Sequence, residues 1–478
     1  MPLYLQKQLR STSIYTNRLK TTRLLVALPT EIHNIPPEYF GNIKLEVSEM
    51  EKHQQFGQMI KFFRQQKKMT QDDLAVGICT PSYLSRIENG LVAAEQVVYE
   101  LLFERLSLNF EQYIQQEQAE QKFLQAFYND LLSNEPIQLE QLQTLQQLYT
   151  SKTYPSLQIQ VELIYARYLL SEHDIKAAST ILQSLESLIT PSNTREWQLF
   201  VAVKTYADLS AAQYEMILKR EQSTNSIHFF TSTSPFEKAN YLYHLAFASH
   251  RAYQFTKALR FIEMAKQTFT HQYKPLFQLK LYSMHGVIYN ALGRFNESIH
   301  EYEAGIDLLK HVPSIASDEQ WASIYNNLAF TYESQNNYEE AQNYYQKSLS
   351  FKQDVHTKVN YCRTLLFSNA IDILTQQLGD LWEKEIESGT HHHYQLLLIH
   401  ALIQQPQQEP EAFLQVERKV MKYFTQYAHI ELILSYGPHV AKICEALHQY
   451  KRASELYKLL FETSEKMRSR LEREEMDV

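Results

Sequence analysis

The side chains whose types and spacing best indicate a functional site lie within residues 70–90, which read TQDDLAVGICTPSYLSRIENG. They are amides, hydroxyls and a guanidinium, groups that donate and accept hydrogen bonds. No catalytic motif accompanies them, so the chemistry that they favour is recognition. These candidate residues are Gln71, Thr80, Ser82, Tyr83, Ser85, Arg86 and Asn89.

Caps and apolar spacing predict two short helices that would present these side chains. Thr70 is a suitable N-cap for the first of them, and acidic residues follow it where the helix dipole favours negative charge. Thr80 is an N-cap for the second, with Pro81 in the first turn, where a missing N–H is harmless. Asn89-Gly90 then ends that helix.

Two further helices are predicted on either side of this pair. Residues 56–69, FGQMIKFFRQQKKM, place apolar side chains at helical spacing and basic side chains on the other faces. A helix over about residues 95–108 would then close a small core. The core residues expected from that helix are Val98, Leu101, Leu102 and Leu106.

Residues 56–108 resemble the XRE/Cro-type helix-turn-helix family, which has a lambda-repressor-like fold. The resemblance rests on Thr-Gln-x-x-Leu-Ala at 70–75 and Tyr-Leu-Ser-x-Ile-Glu-x-Gly at 83–90. It implies that the third helix lies in the major groove of DNA, with Ser82, Ser85 and Arg86 near base edges. It also places Gln71, Thr80 and Asn89 near phosphates, and Tyr83 completes the set of expected DNA-binding residues.

Other positions agree with that family or depart from it. Arg64 and Glu88 lie where the family often has an ion pair between the first and third helices. The turn before Tyr83 is one residue shorter than the common family pattern, with Cys79 near the usual glycine. Ala94-Glu95 stands where Pro-Ser is usual. A helix-turn-helix used only for protein contact is the alternative.

The charge balance bears on how strongly such a module would bind DNA. Residues 50–110 carry seven basic and seven acidic side chains, and the whole chain has a formal net charge of −8. Because phosphate neutralisation supplies most non-specific affinity, one copy is expected to bind double-stranded DNA weakly. A homodimer or higher homo-oligomer on paired half-sites is therefore expected.

Three later segments, at 241–265, 281–305 and 324–348, repeat one pattern of two amphipathic helices. Each has two small residues twelve positions apart, where the two helices would touch closely. The spacings of 40 and 43 residues between segments predict longer helices or loops than the roughly 34-residue tetratricopeptide repeat. The small pairs are Ala246 with Ala258, Gly286 with Ser298 and Ala329 with Ala341.

These segments resemble tetratricopeptide repeats, which place aromatic residues as at Tyr289 and Tyr332 in first helices. Weaker copies of the small pair extend the array over about residues 116–478, with a charged closing helix at 454–474. The resemblance implies an all-α, right-handed superhelix with a concave inner wall. The other residues that carry it are Tyr302, Tyr345, Ala166 with Ala178, and Ala441 with Ala453.

In that family the first helix of each repeat lines the concave wall. Asn side chains there would bond both N–H and C=O of an extended peptide, and basic side chains would suit its terminal carboxylate. For any single residue the alternative is a solvated helix face. The candidates are Asn290, Asn326 and Asn327, followed by His250, Arg251, Lys280 and Asn360.

Other classes of protein are disfavoured. With 10 glycines in 478 residues, phosphate-cradling loops and nucleotide folds have little scope, and no enzyme motif occurs. HHHYQ at 391–395 invites a metal site, but consecutive histidines point in different directions, so a loop or helix start is favoured. We therefore expect no cofactor, no metal and no catalysis.

Cysteine usage and hydropathy predict a cytoplasmic location. Cys79, Cys362 and Cys444 are far apart and form no Cys-x-x-Cys pair. The longest apolar runs, such as LLVAL at 24–28, are too short to span a bilayer, so no membrane partner is expected.

The predicted organisation has three parts: an atypical extension at 1–49, a DNA-binding domain at 50–115 and a repeat domain at 116–478. IKLEVSEM precedes Glu51, and its Glu-Val codons could spell a ribosome-binding site ahead of Met50. Two interpretations stay open, namely synthesis from Met50 or a disordered or amphipathic arm. A native peptide from residues 11–40 would exclude the first.

Together the two parts resemble the cytoplasmic peptide-pheromone receptors of Gram-positive bacteria. The resemblance implies a transcriptional regulator in which a short signalling peptide docks in the groove and changes oligomer state or conformation, and so DNA binding. The alternative is a repeat protein that sequesters a phosphorelay response regulator.

Overall fold

The computed structural model describes residues 53, 56–152, 154, 156–190, 194–230, 233–270, 273–384, 389–404 and 406–476. Within these ranges every regular element is a helix and there is no strand, which confirms the all-α prediction. No helix in the described ranges combines the length and apolar character needed to cross a membrane. Residues 1–49, and with them the start-site hypotheses, lie outside the described residues.

The described chain forms two compact units. The first comprises its residues up to Glu117 with Tyr154–Ser156, and the second comprises Gln118–Thr153 and the residues from Leu157 onward. The helices that begin in the first unit are α1 (56–66), α2 (Gln71–Ala75), α3 (Pro81–Glu88), α4 (Gln96–Arg105) and α5 (Phe110–Ser133), which continues into the second unit.

Capping in the first unit follows the sequence prediction. The Thr70 hydroxyl accepts from the backbone N–H of Asp73, whose carboxylate accepts in return from the Thr70 backbone N–H. This reciprocal capping box fixes the start of a helix only five residues long. The Thr80 hydroxyl likewise accepts from the Tyr83 N–H at 3.2 Å and starts α3.

The prediction of which α4 residues are buried was partly wrong. Leu101 is 41% exposed, whereas Tyr99 and Phe103 are buried. The buried positions 99, 102, 103 and 106 follow the helical period, which places position 101 on the opposite face. Two aromatic side chains therefore fill the space that was assigned to aliphatic ones.

The second unit is a series of helical pairs. Its small-residue pairs are where they were predicted, because Ala246, Ala258, Ala329 and Ala341 are all fully buried. Its further helices are α6 (Leu139–Ser151), α7 (Gln158–Ser171), α8 (Ile175–Glu186), α9 (Arg195–Ser210), α10 (Tyr214–Thr224), α11 (Pro235–Arg251), α12 (Phe255–Phe269), α13 (Pro275–Ala291), α14 (Phe295–His311), α15 (Asp318–Ser334), α16 (Tyr338–Phe351), α17 (Val355–Phe367), α18 (Ile371–Lys384), α19 (His391–Ile403), α20 (Pro410–Gln426), α21 (Ile430–Ala446) and α22 (Tyr450–Met476).

Longer helices explain the long repeat spacing. The helices α11, α13, α14 and α15 each have 17 residues, about five turns. The close approach of paired helices depends on residues such as Gly286, where an added Cβ would come within 2.6 Å of the Tyr302 ring. The structure thus supports tetratricopeptide-like packing with elongated elements.

The odd-numbered helices from α7 to α19 form one continuous layer. Each packs against the next odd-numbered helix, whereas contacts between successive even-numbered helices are sparse. The odd-numbered helices are the first helices of their pairs, which line the concave wall in tetratricopeptide repeats, so we call this layer the inner layer. At the end of the chain, α22 pairs with α21 and also packs against α12.

Candidate functional site

The residues predicted to face DNA share one side of α3. Ser82, Arg86 and Asn89 are exposed and Ser85 is partly exposed, while Leu84 and Ile87 are buried on the opposite side. Positions 82, 85, 86 and 89 recur at helical spacing and therefore form a single stripe. A fork-shaped guanidinium beside two hydroxyls is able to read base edges in a major groove.

An ion pair fixes α3 against the rest of the unit. The Arg64 guanidinium donates two hydrogen bonds to the Glu88 carboxylate, at 2.6 and 2.8 Å, which confirms the expected pairing. The Gln71 amide also donates to Glu88 at 2.7 Å. Gln71 therefore links α2 to α3 and uses one of its donors for that purpose.

The other predicted DNA-facing residues have local roles as well. Thr80 is exposed and caps α3, and Tyr83 is partly exposed. The Asn89 amide donates to the Ser85 carbonyl at 2.8 Å and accepts from Lys61 Nζ at 3.4 Å. Sequence reasoning missed Arg105, whose guanidinium donates to the carbonyls of Leu74 and Val76 and so supports the short turn after α2.

In the second unit, three of the four predicted Asn residues form one hydrogen-bonded row. Asn360 Nδ2 donates to Asn326 Oδ1 at 3.3 Å, and Asn326 Nδ2 donates to Asn327 Oδ1 at 3.4 Å. The row crosses from α17 to α15 on the inner layer, and Asn360 is its buried end. The amides keep some of their bonding capacity free for a ligand.

The fourth, Asn290, has an unsatisfied acceptor. Its Nδ2 donates to Ser334 Oγ at 3.4 Å, but its Oδ1 is buried without a hydrogen-bond partner. A buried acceptor in that state costs about 1–3 kcal/mol. A ligand N–H that reached Asn290 would remove the cost.

A pocket of about 310 Å³ lies next to this residue, between α15, α17 and α21. Ser334, the partner of Asn290, is part of its wall. Pro438 lies inside α21 and has no N–H, so the carbonyl of Leu434, another wall residue, lacks its usual helical donor. The remaining wall is mixed in polarity and includes Phe330, Glu333, Arg363, Glu431, Ser435 and His439.

A group of cationic side chains also lies on the inner helices. Arg167 on α7 stacks on the Tyr206 ring at 3.5 Å, and its buried Nη1 has no hydrogen-bond partner. Burial, and then Arg167, lower the pKa of Lys280. Burial, Arg167 and Lys280 lower the pKa of His244 to about 3. Among the described residues no carboxylate pairs with Arg167 or Lys280, so this group favours an anion.

The sequence pointed to Lys280 but not to Arg167 or His244. These three residues lie on three different helices, and no local spacing relates them. His250 and Arg251, at the end of α11, form other contacts: His250 packs on Phe255, and burial lowers its pKa to about 4. Arg251 is exposed and lies over the Tyr214 ring.

The histidine tract begins a helix, as one of its two interpretations predicted. Thr390 caps α19, and His391 is its first residue. His356, 36 residues before His392, places its Nδ1 3.2 Å from His392 Nε2. Burial, followed by the neighbouring His391 and His356, lowers the pKa of His392 to about 4, which favours the neutral imidazole.

Comparison with known families agrees with both units. A helix-turn-helix family model matches residues 60–107, and a tetratricopeptide repeat model matches residues 277–354. The transcriptional activator NprA of Geobacillus stearothermophilus is 22% identical over 409 residues, which cover 81% of this chain and 98% of NprA.

Two solved structures have a similar fold. The apo form of the quorum sensor NprR from B. thuringiensis has a TM-score of 0.58 and 18% identity, covering 73% of this chain and 99% of that one. NprR in complex with its cognate peptide NprX has a TM-score of 0.51 and 19% identity, covering 71% and 98% respectively. The chain thus combines an XRE-type helix-turn-helix domain with tetratricopeptide repeats, is homologous to NprA and is similar in fold to NprR.

Proposed function

We propose that the protein is a cytoplasmic, DNA-binding transcriptional regulator whose inner repeat surface binds a short signalling peptide. The observation that carries the proposal is the joint presence of an exposed polar stripe on α3 and an inner row of Asn amides beside a pocket. Homology to a transcriptional activator and a fold shared with a peptide-bound quorum sensor support it.

For DNA, we propose that Arg86 reads base edges with help from Ser82 and Ser85. Because residues 50–110 are neutral overall, one copy would bind weakly, and we propose a homodimer on two half-sites. Thr80 and Asn89 would contact phosphates at the two ends of α3.

Replacing Arg86 with Ala is expected to weaken binding to preferred DNA by about 1–3 kcal/mol, roughly 5- to 150-fold, because a bidentate base contact is lost. The measurement is the Kd for a duplex that the wild-type protein selects from a random library, at fixed salt concentration. Arg86→Lys keeps the charge without the fork and should recover only part of the affinity.

Lys310→Ala, which removes an exposed cation from the second unit, serves as the matched control and should leave the Kd unchanged. Wild-type affinity in Arg86→Ala would exclude α3 as the reading helix. The helix-turn-helix would then serve protein contact, and capture of a response regulator would become the better account.

For the peptide, we propose that Asn290, Asn326 and Asn327 pair with its backbone along the inner layer. Asn290 offers an unpartnered acceptor, and the carbonyl of the wall residue Leu434, which lacks its usual helical donor, offers another. Arg167 and Lys280 would bind its terminal carboxylate, because their charges have no anionic partner in the described chain. The peptide would shift the protein between states only through its different affinity for each.

Replacing Asn327 with Ala is expected to weaken peptide binding by about 1–2 kcal/mol, or roughly 5- to 30-fold, because a paired peptide group is left unsatisfied. The probe is a synthetic peptide from the C-terminal tail of a small reading frame immediately downstream of the gene, and calorimetry gives the Kd. Asn343→Ala, on the exposed side of α16, is the matched control.

An amidated copy of the same peptide separates backbone pairing from carboxylate binding. It should bind more weakly to the wild-type protein, and Lys280→Met should reduce that difference. Equal affinity of wild type and Asn327→Ala would remove the assignment of the amide row.

A further inference from the structure

Three imidazoles from two helices meet at one end of the inner layer. The possible ligand nitrogens of His356 on α17 and of His391 and His392 on α19 all lie within 4.8 Å of one another. The rings of His391 and His392 have centroids 3.8 Å apart. No segment shorter than 37 residues contains all three positions, so the cluster exists only in the folded chain.

The spacing within the cluster suits a shared ion. Two nitrogens bound tetrahedrally to Zn²⁺ at roughly 2.0–2.1 Å lie about 3.3–3.4 Å apart. His356 Nδ1 and His392 Nε2 are 3.2 Å apart, close to that value. A hydrogen bond would account for these two nitrogens but not for the third imidazole, whose ring lies beside that of His392 at an interplanar angle of 42°.

We propose that His356, His391 and His392 bind one divalent transition metal ion of the kind that prefers imidazole, with Zn²⁺ as the leading case. Three protein ligands leave a fourth position for water or for a group from a bound partner. The cap of α17, Asp354, holds a carboxylate two residues from His356 and adds favourable negative charge nearby.

The site connects directly to the amide row. His356 Nε2 is 3.2 Å from Asn360 Nδ2, which also donates to Asn326. A metal on Nδ1 places the imidazole proton on Nε2, so that nitrogen becomes a donor and requires an acceptor. Asn360 must then turn its amide oxygen toward His356, which reverses its bond to Asn326. Metal binding is thereby coupled to the peptide groove. This coupling rests on the proposed peptide function, whereas the metal site does not.

The metal site is tested on untagged, chelator-treated full-length protein titrated with Zn²⁺, and with Co²⁺ to follow its visible absorption. We expect one ion per chain, and at least ten-fold weaker binding in His392→Asn and in His356→Asn. His300→Asn, an exposed histidine outside the cluster, should match the wild type. Absence of stoichiometric binding, or wild-type binding in both cluster variants, would overturn the proposal.

The coupling has its own readout. Peptide affinity is measured with and without Zn²⁺ in the wild type and in Asn360→Ala. We expect Zn²⁺ to change the wild-type affinity several-fold and to leave that of Asn360→Ala unchanged. If the ion binds but the wild-type affinity does not move, the coupling is wrong. If no peptide binds, the peptide proposal fails while the metal titration still stands.

Discussion

Replacing Arg363 with Met is expected to lower the free energy of unfolding of the second unit by about 3–5 kcal/mol, because it leaves a buried carboxylate without its partner. Arg363 donates to Glu333 at 2.6 and 2.8 Å, and both side chains are at most 6% exposed. Tyr345 also donates to Glu333, at 2.8 Å. Burial alone would lower the pKa of Arg363, yet the pair with Glu333 raises it above its usual value.

Urea unfolding followed by tryptophan fluorescence measures this effect. All three tryptophans, Trp197, Trp321 and Trp382, belong to the second unit, so the signal reports that unit alone. The double variant Arg363→Met, Glu333→Leu should recover most of the loss, since replacing both partners by apolar groups is often nearly neutral.

Lys310→Met is the control, because the pair of Lys310 with Asp307 is more than half exposed and should contribute at most about 1 kcal/mol. A loss in Arg363→Met no larger than in this control would show that the buried pair does not hold α15 and α17 together. Both Arg363 and Glu333 line the pocket, so peptide affinity should fall in the same variant.

Replacing Glu88 with Ala is expected to destabilise the first unit by about 3 kcal/mol. The Arg64 side chain is only 11% exposed, and its guanidinium would lose both of its hydrogen bonds to Glu88. The Gln71 amide would also lose its acceptor. Hydrogen exchange of the amides of residues 56–108 in the intact protein measures the change. Binding to the selected DNA duplex should fall with it, because α3 loses its fixed orientation.

Glu104→Ala removes an exposed carboxylate from α4 and should leave exchange rates unchanged. Arg64→Leu combined with Glu88→Leu should regain part of the stability. If exchange in Glu88→Ala matched the wild type, α3 would be held by its apolar contacts alone.

Local rules predicted the helices well. The caps Thr70 and Thr80 and the small pairs such as Ala329 with Ala341 depend on a few neighbouring atoms, and all are as expected. The prediction that Leu101 is buried was wrong because α4 has apolar residues on more than one face, and the sequence does not show which face is buried. Tyr99, two positions away, occupies the core instead.

The sites were harder to predict because they depend on how helices that are distant in the sequence pack together. Asn326 and Asn360 are 34 residues apart, and only the packing of α15 beside α17 brings their amides to 3.3 Å. The sequence identified them through a resemblance to known repeats. Arg167 and His356 had no comparable signal, since each becomes notable only beside a residue on another helix.

The contact between α22 and α12 limits how the number of repeats can change during evolution. A solenoid that is open at both ends tolerates the gain or loss of a repeat, since each unit touches only its neighbours. Here the final helix returns to the middle of the array. Inserting or deleting one repeat between α12 and α22 would move the surface of α12 away from α22. Related chains should therefore diverge by substitution and by changes in loop length, at a constant number of helical pairs.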